Sequence, residues 1–421
     1  MFRLSQYSLK EKSYILYDVA NSAFILTIVT VLFPLYYQSV AAHVDNRSQI
    51  FAFVTSGIAL TIAIMSPIVG ALANYKGNKK RFFVLFFVIG LVGGFGLIIP
   101  GLNWVTLLAI FVIAELGYGM SNVIYDAFLV DVTDESRMDL VSSAGYGWGY
   151  IGSMVPFMVG IIPYAAVTLG FLDASYEYLS IVFAFTLSLS WWGFYTLPLL
   201  KNVSQTYEAA ASKKPVRDAF RSIARTFKDI RSYKYIVLFM IAYLLYIDVV
   251  NTVIRLATTL GTELGVGVTT LLGVVIMVQL IGFPSAIIYG RLTKRFGGKR
   301  MIYFGISVYA LTIYFTFLIN EDRTYLMWLV GFLVGTAQGG IQSISRSYFA
   351  KMLPIEKANE FFGFFSVFGK FAGILSPFLI GVVIASWGPN AAVLMLLLPL
   401  SIGALLLFFV KPDVQEQLLE Q

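Results

Sequence analysis

Long apolar runs recur from one end of this chain to the other, broken by short polar stretches. A helix needs ~20 predominantly apolar residues to cross the hydrocarbon of a bilayer. The alternation predicts helices near 14–38, 48–73, 82–101, 103–128, 141–168 and 177–199, and then near 235–258, 266–290, 300–319, 324–349, 359–386 and 388–410. The expected fold is all-α and integral to a membrane, with twelve transmembrane helices. One longer polar stretch, 201–233, divides the spans six and six. Within it Arg217, Arg221, Arg225 and Lys228 recur at helical spacing beside Phe220 and Phe227. That pattern predicts a basic amphipathic helix lying on the membrane surface. It reads as a linker held by anionic lipid, or else as a regulatory, partner-binding element.

Composition agrees. Of 421 residues 58% are hydrophobic and only 13% charged, too few for the surface of a soluble domain. Mean hydropathy is +0.79. The absence of cysteine excludes disulfides and thiolate chemistry, and the one histidine, His43, sits in a predicted loop. No enzyme, metal or cofactor is expected. The first apolar run is long and lacks a small-residue cleavage site, so it reads as a span and not as a signal peptide.

The net charge of +7 does not point to nucleic acid, because the basic residues cluster in alternate loops. With the N-terminus inside, 25 of the 30 Lys and Arg residues fall in inside segments, and only Arg47 and Arg323 outside. By the positive-inside rule both termini are expected in the cytoplasm, in a multi-pass protein of the cytoplasmic (inner) membrane.

The two sets of spans are related. Gly70-Ala71-Leu72-Ala73-Asn74-Tyr75-Lys76-Gly77-Asn78-Lys79-Lys80 resembles Gly290-Arg291-Leu292-Thr293-Lys294-Arg295-Phe296-Gly297-Gly298-Lys299-Arg300, at an offset of 220. The same offset relates Asp126 to Arg346, and Pro156 and Pro377 differ by 221. The expected domains are an N-terminal six-helix bundle over 1–200, a cytoplasmic linker with the amphipathic helix over 201–233, and a C-terminal six-helix bundle over 234–421. Two pseudo-symmetric halves around a central site are a secondary-transporter arrangement.

The paired loops resemble the G-x-L-x-D-R-x-G-R-[KR] signature of the major facilitator superfamily. Leu72, Gly77 and the basic residues match, while the family's acidic position holds Asn74 and Lys294. The resemblance implies an inter-half latch at that acidic position, which this chain lacks in both copies. Three further stretches are similar to the vacuole effluxer-like branch of that superfamily. They are Tyr17-Asp18-Val19-Ala20-Asn21-Ser22-Ala23-Phe24, Gln338 through Arg346 to Ser347, and Glu360 through Gly363 to Gly369-Lys370-Phe371. This resemblance implies the superfamily fold and an export function, with an amino-acid-like solute as the cargo.

Ionisable groups inside spans are costly and usually functional. Asp18, Asn21 and Ser22 share one stripe of the first span; Asp248, Asn251 and Arg255 share one of the seventh. Glu115, Tyr118, Asn122 and Asp126 form a stripe of the fourth, and Gln338, Gln342 and Arg346 one of the tenth. The resemblance makes these four helices cavity-lining. Each residue has a plainer reading. Asp18 is a cavity residue or a helix-end gate residue. Asp18, Glu115 and Asp248 are the candidate proton carriers, since a buried carboxylate without a full partner can hold a proton; alternatively Asp248 pairs structurally with Arg255. Asp126 and Arg346 snorkel, or pair as a gate between the halves. Lys370, midway along the eleventh span, binds a substrate carboxylate or pairs with a carboxylate of another helix. Gln279, Gln338 and Gln342 offer hydrogen bonds to a polar solute.

Glycines 145, 147, 149 and 152, with 363, 369 and 373, read as helix packing and hinge positions. Gly363 to Lys370 is no phosphate loop: it has one residue too many, and Phe371 replaces the required Ser or Thr. ATP hydrolysis is therefore not expected. The expected function is secondary active transport of a small organic solute by alternating access, with protons as candidate coupling ion, membrane lipids as neighbours and a monomer as the working unit. The alternatives are export of an amphipathic drug or lysolipid, and a non-transporting receptor or scaffold.

Overall fold

The computed structural model describes residues 4–207, 214–228, 232–263, 268–372 and 393–411. Besides the one-turn helix Leu129–Val132 and a few short 3-10 turns, these residues hold thirteen longer helices, eight of which are long and apolar enough to cross a membrane. In chain order they are α1 (Leu9–Val40), α2 (Arg47–Ala73), α3 (Asn78–Gly96), α4 (Trp104–Ala127), α5 (Glu135–Thr168) and α6 (Glu177–Asn202). There follow α7 (Pro215–Lys228), α8 (Lys234–Glu263), α9 (Val268–Phe296), α10 (Gly298–Phe317), α11 (Leu326–Met352), α12 (Ala358–Phe371) and α13 (Leu397–Phe409). The amphipathic linker helix expected between the halves is α7. Pro377, Gly373 and the junction of the last two expected spans lie outside the described residues.

Helix starts explain why several elements begin earlier than their apolar runs. At α1 the Ser8 hydroxyl accepts the Glu11 amide at 3.2 Å, and the Glu11 carboxylate accepts the Ser8 amide at 2.7 Å. This reciprocal capping box starts the helix at Leu9, in polar sequence. The same carboxylate accepts from the Arg137 side chain at 2.7 and 3.0 Å, tying the start of α1 to the start of α5. Midway, from Phe24 to Leu32, α1 is wound as a π-helix; the Phe33 amide bonds the carbonyl of Ile28, five residues back.

Two bundles result. In the first, α1 packs on α5 and α6, and α3 on α4. Trp192 of α6, fully buried, meets the rings of Phe24, Phe87 and Tyr118 at 5.0, 5.1 and 5.7 Å, joining four helices at one point. In the second, α11 packs on α9 and α10, and α8 on α13. The bundles meet along two seams, α2 against α12 and α5 against both α9 and α11.

The repeat is visible in these seams. A Cβ on Gly70 would lie 2.3 Å from the Asn359 carbonyl oxygen, and one on Gly290 would lie 2.9 Å from that of Asp139. Gly290 is 220 residues after Gly70, and Asn359 is 220 after Asp139. The glycine that opens each duplicated loop thus lets α2 or α9 cross the start of a helix in the other bundle. Both crossings lie at the end of the molecule shared by Gln6, Arg137 and Val410, whose carbonyl accepts from Lys299 at 2.8 Å.

A side chain at Gly70 must therefore push this end apart. Overpacking of this kind costs about 1–3 kcal/mol. The chain has no cysteine, so Ser343→Cys, buried in the second seam, supplies a single thiol. Gly70→Leu is expected to raise maleimide labelling of that thiol by about tenfold. Gly57→Leu, where a Cβ meets nothing within 4 Å, leaves it unchanged. Equal rates in both variants refute the seam.

Candidate functional site

A cavity of about 540 Å³ opens between the bundles, lined by α1, α4, α5, α9 and α11. This is the size range of small-molecule sites. Its lining is layered. Asp18, Asp126, Arg346, Tyr125 and Tyr146 make the floor, toward the shared end. Above them stand Asn21, Ser22, Tyr118, Asn122, Tyr150, Gln279, Gln338 and Gln342. Toward the opposite end the walls become aliphatic, with Ile25, Leu26, Val274, Val275, Val278, Val330 and Val334. The layers follow from chain direction: α1 climbs from Asp18 to Ile25, while α4 and α11 descend to Asp126 and Arg346.

The floor is one connected group. Arg346 Nη2 donates to Asp18 Oδ2 at 3.1 Å, and Nη1 donates to Asp126 Oδ1 at 3.0 Å. Its Nε donates to Ser142 Oγ at 2.9 Å, and Nη2 also reaches the Ser142 carbonyl at 3.2 Å. The rings of Tyr146, Tyr14 and Tyr125 lie 4.6, 5.4 and 5.6 Å from the guanidinium carbon. A planar delocalised cation suits this cage, because its edge bonds carboxylates while its face meets aromatic rings. Gly145 makes room: a Cβ there would stand 2.0 Å from Asp18 Oδ2. Arg346 belongs to the second bundle and Asp18, Asp126 and Ser142 to the first, so this group also joins the two halves.

Below the floor the junction continues. Ser142 Oγ donates to the Ser343 carbonyl at 2.8 Å, and the hydroxyls of Ser143 and Ser343 lie 3.1 Å apart. Asp139 accepts from Ser347 at 2.7 Å and from Lys351 at 2.6 Å. In the first bundle buried Lys79 pairs with Asp131, whose other oxygen accepts the Thr206 amide at 2.7 Å.

The structure gathers most, not all, of the residues singled out in the sequence. Asp18, Asn21, Asn122, Asp126, Gln338, Gln342 and Arg346 line the cavity, and Asn21 Nδ2 donates to Asn122 Oδ1 at 3.1 Å. Of the two readings of Asp126 and Arg346, the pair is what is found. Glu115, half-buried, does not line the cavity; it sits two turns beyond Asn122 toward the opposite end. Asp248 is fully buried, and neither it nor half-buried Asn251 lines the cavity. Their helix, α8, packs on α11, α12 and α13, inside its own bundle. The side chains of Arg255 and Lys370 lie outside the described residues. The tyrosine cage, Ser142 and the space at Gly145 were not anticipated. Tyr14 lies one turn before Asp18, and Tyr125 adjoins Asp126; that proximity was the available signal.

Two bundles enclosing a central polar cavity define a class. The fold is that of major facilitator transporters. The proton:xylose symporter XylE bound to 6-bromo-6-deoxy-D-glucose superposes with a TM-score of 0.74, covering 99% of this chain and 100% of that one at 12% identity. A variant of the E. coli fucose:proton symporter FucP gives 0.68, over 97% and 99%, at 15% identity. A family model described as "Vacuole effluxer Atg22 like" matches residues 43–417, and the chain belongs to that family. An uncharacterised MFS-type transporter of Bacillus subtilis (strain 168), YxiO, is 39% identical over 99% of this chain and 98% of its own length. Autophagy-related protein 22 of Eremothecium gossypii is 22% identical, over 81% and 72%. This protein is an MFS-type, multi-pass membrane transporter.

Arg346→Gln leaves two carboxylates facing each other without their counter-charge. Breaking a buried pair in this way costs about 3–5 kcal/mol. The thermal midpoint in detergent is expected to fall, and the triple variant Arg346→Gln, Asp18→Asn, Asp126→Asn is expected to recover most of the loss. A triple variant as unstable as the single one refutes charge imbalance as the cause.

Proposed function

We propose that this chain exports a small zwitterionic, amino-acid-like solute with an apolar side chain, exchanging it for protons. The observation that carries this reading is the layered cavity: charges of both signs and amides at the floor, aliphatic walls above. A zwitterion has a carboxylate for Arg346, an ammonium for Asp18 or Asp126, and a side chain for Val274, Val278, Val330 and Val334. Asn21, Asn122, Gln338 and Gln342 supply hydrogen bonds between these layers. The family description as vacuole effluxers supports the direction.

Asp126 and Arg346 serve as the gate in this scheme, and Asp18 as both binding and coupling residue. The junction closes the shared end, which we place in the cytoplasm on the distribution of basic residues. The cavity then faces outward. A proton entering from outside neutralises Asp18, and the guanidinium loses one of its two carboxylates. The junction weakens, the halves rock, and the cavity opens to the cytoplasm. A solute binding there displaces the proton, and the carboxylate reclaims Arg346. The inward proton gradient thereby drives export. The division into bundles over 1–200 and 234–421, rocking about the linker 201–233, is part of the same proposal. Glu115, Asp248 and Asn251, which do not line the cavity, are assigned structural rather than cargo-binding duties.

The test is purified protein in proteoliposomes, with a panel of amino acids, sugars, organic anions and lysolipids. Apolar amino acids are expected to move against their gradient when a pH gradient is imposed. Asp18→Asn is expected to abolish gradient-driven accumulation while solute-for-solute exchange persists. Unchanged accumulation sinks the role of Asp18. Selective movement of lysolipid or cationic amphiphiles replaces the zwitterion by an amphipathic cargo.

A further inference from the structure

A second cavity, also about 540 Å³, lies on the flank of the molecule, away from the floor of the central one. It is formed by α2 of the first bundle, α8 and α12 of the second, and α7. It therefore straddles the α2–α12 seam at the shared end. Its lining is apolar: Ile64 and Pro67 face Phe364 and Phe368, and Phe220 and Ile223 of α7 close one side. Ile64 is 60% exposed and Phe220 52%, so the groove is open laterally, toward the hydrocarbon.

The helix that closes this groove is strongly cationic. Arg217, Arg221, Arg225 and Lys228 fall at i, i+4, i+8 and i+11, on one stripe beside the stripe of Phe220 and Ile223. All four are exposed. The one acidic residue of α7, Asp218, lies 3.9 Å from Arg221. The helix is seated, not floating: Ala219 is buried, and Ser222 Oγ donates to the Glu360 carboxylate on α12 at 2.7 Å. At the groove's edge Lys357 Nζ lies 3.2 Å from the Tyr233 hydroxyl.

We infer that this groove binds one anionic glycerophospholipid from the surrounding leaflet, with an acyl chain between α2 and α12 and its phosphate against the basic stripe of α7. An apolar slot opening sideways into hydrocarbon fits an acyl chain and no soluble ligand. A cationic stripe at its membrane-surface edge selects a negative headgroup over a zwitterionic one. Because the slot spans the seam, its occupant touches both bundles and links lipid composition to the opening of the shared end.

The experiment is native mass spectrometry of the full chain in detergent, titrated with phosphatidylglycerol or phosphatidylcholine. Wild type is expected to retain one phosphatidylglycerol, and phosphatidylcholine about tenfold less. Ile64→Trp, at a largely exposed position, fills the slot, and Arg221→Glu with Arg225→Glu reverses the stripe; each is expected to cut phosphatidylglycerol retention by about tenfold. A second filling variant, Ile68→Trp, guards against misfolding of the first, and unchanged thermal midpoints certify the fold. Loss only on charge reversal means adhesion to the helix surface and overturns the groove. Equal retention of both lipids overturns the charge selection, and competition by glycerol 3-phosphate at equal concentration overturns the acyl chain. None of these readouts requires transport, so they stand apart from the proposed cargo and coupling.

Discussion

A guanidinium held between two carboxylates at the bottom of a cavity is the interaction on which this molecule depends. Removing such ions from water is expensive, and the expense is met only if each donor finds a well-placed acceptor. Asp18, Asp126 and Ser142 provide those acceptors, and three tyrosine rings provide the faces. The arrangement requires α1, α4, α5 and α11 to converge within a few ångströms. The capping box of α1, its tie to Arg137 and the ring cluster around Trp192 are what fix that convergence in the first bundle.

The two seams make the same end of the molecule behave as one unit. Backbones touch at Gly70 and Gly290, so neither seam can tighten further, and the seam of α5 with α9 and α11 cannot loosen without exposing buried hydroxyls and Asp139. Packed interfaces of this kind are bistable and not continuously deformable. The opposite end of the cavity has aliphatic walls, which resist wetting but impose no directional bond. Strong directional contacts at one end and weak non-directional ones at the other are the conditions for a rocking motion.

Much of this was legible in the sequence because a membrane removes ambiguity. Backbone polar groups in hydrocarbon must be satisfied within a helix, so apolar length gives helix placement directly. The offset of 220 located Asp126 opposite Arg346, helical spacing put Asn21, Asn122, Gln338 and Gln342 on single polar stripes, and the family resemblance implied that those helices line a cavity. Spacing gives the angle around a helix but not the depth at which a cavity ends, so Glu115 was on the right stripe at the wrong level. Nor does it give the neighbour: Asp248 and Asn251 share a stripe that turns into the second bundle itself. Tyr146 and Gly145 lie in a helix rich in small and aromatic residues, where nothing in the pattern separates a cage from ordinary packing. The capping box shows the reverse case, in which polar sequence conceals the true start of a helix.

The Asp126–Arg346 bond joins residues 220 apart, the two copies of a single position in the repeat. They sit on the pseudo-two-fold axis, where each half touches its own equivalent. In a dimer of identical chains such a position faces itself, and the contact would be Asp with Asp or Arg with Arg. Opposite charges can meet on that axis only when the two halves are free to differ, as they are once both are written in one polypeptide. Divergence of the halves is therefore a chemical requirement of this bond: symmetry had to be broken at one site for the two sides to attract.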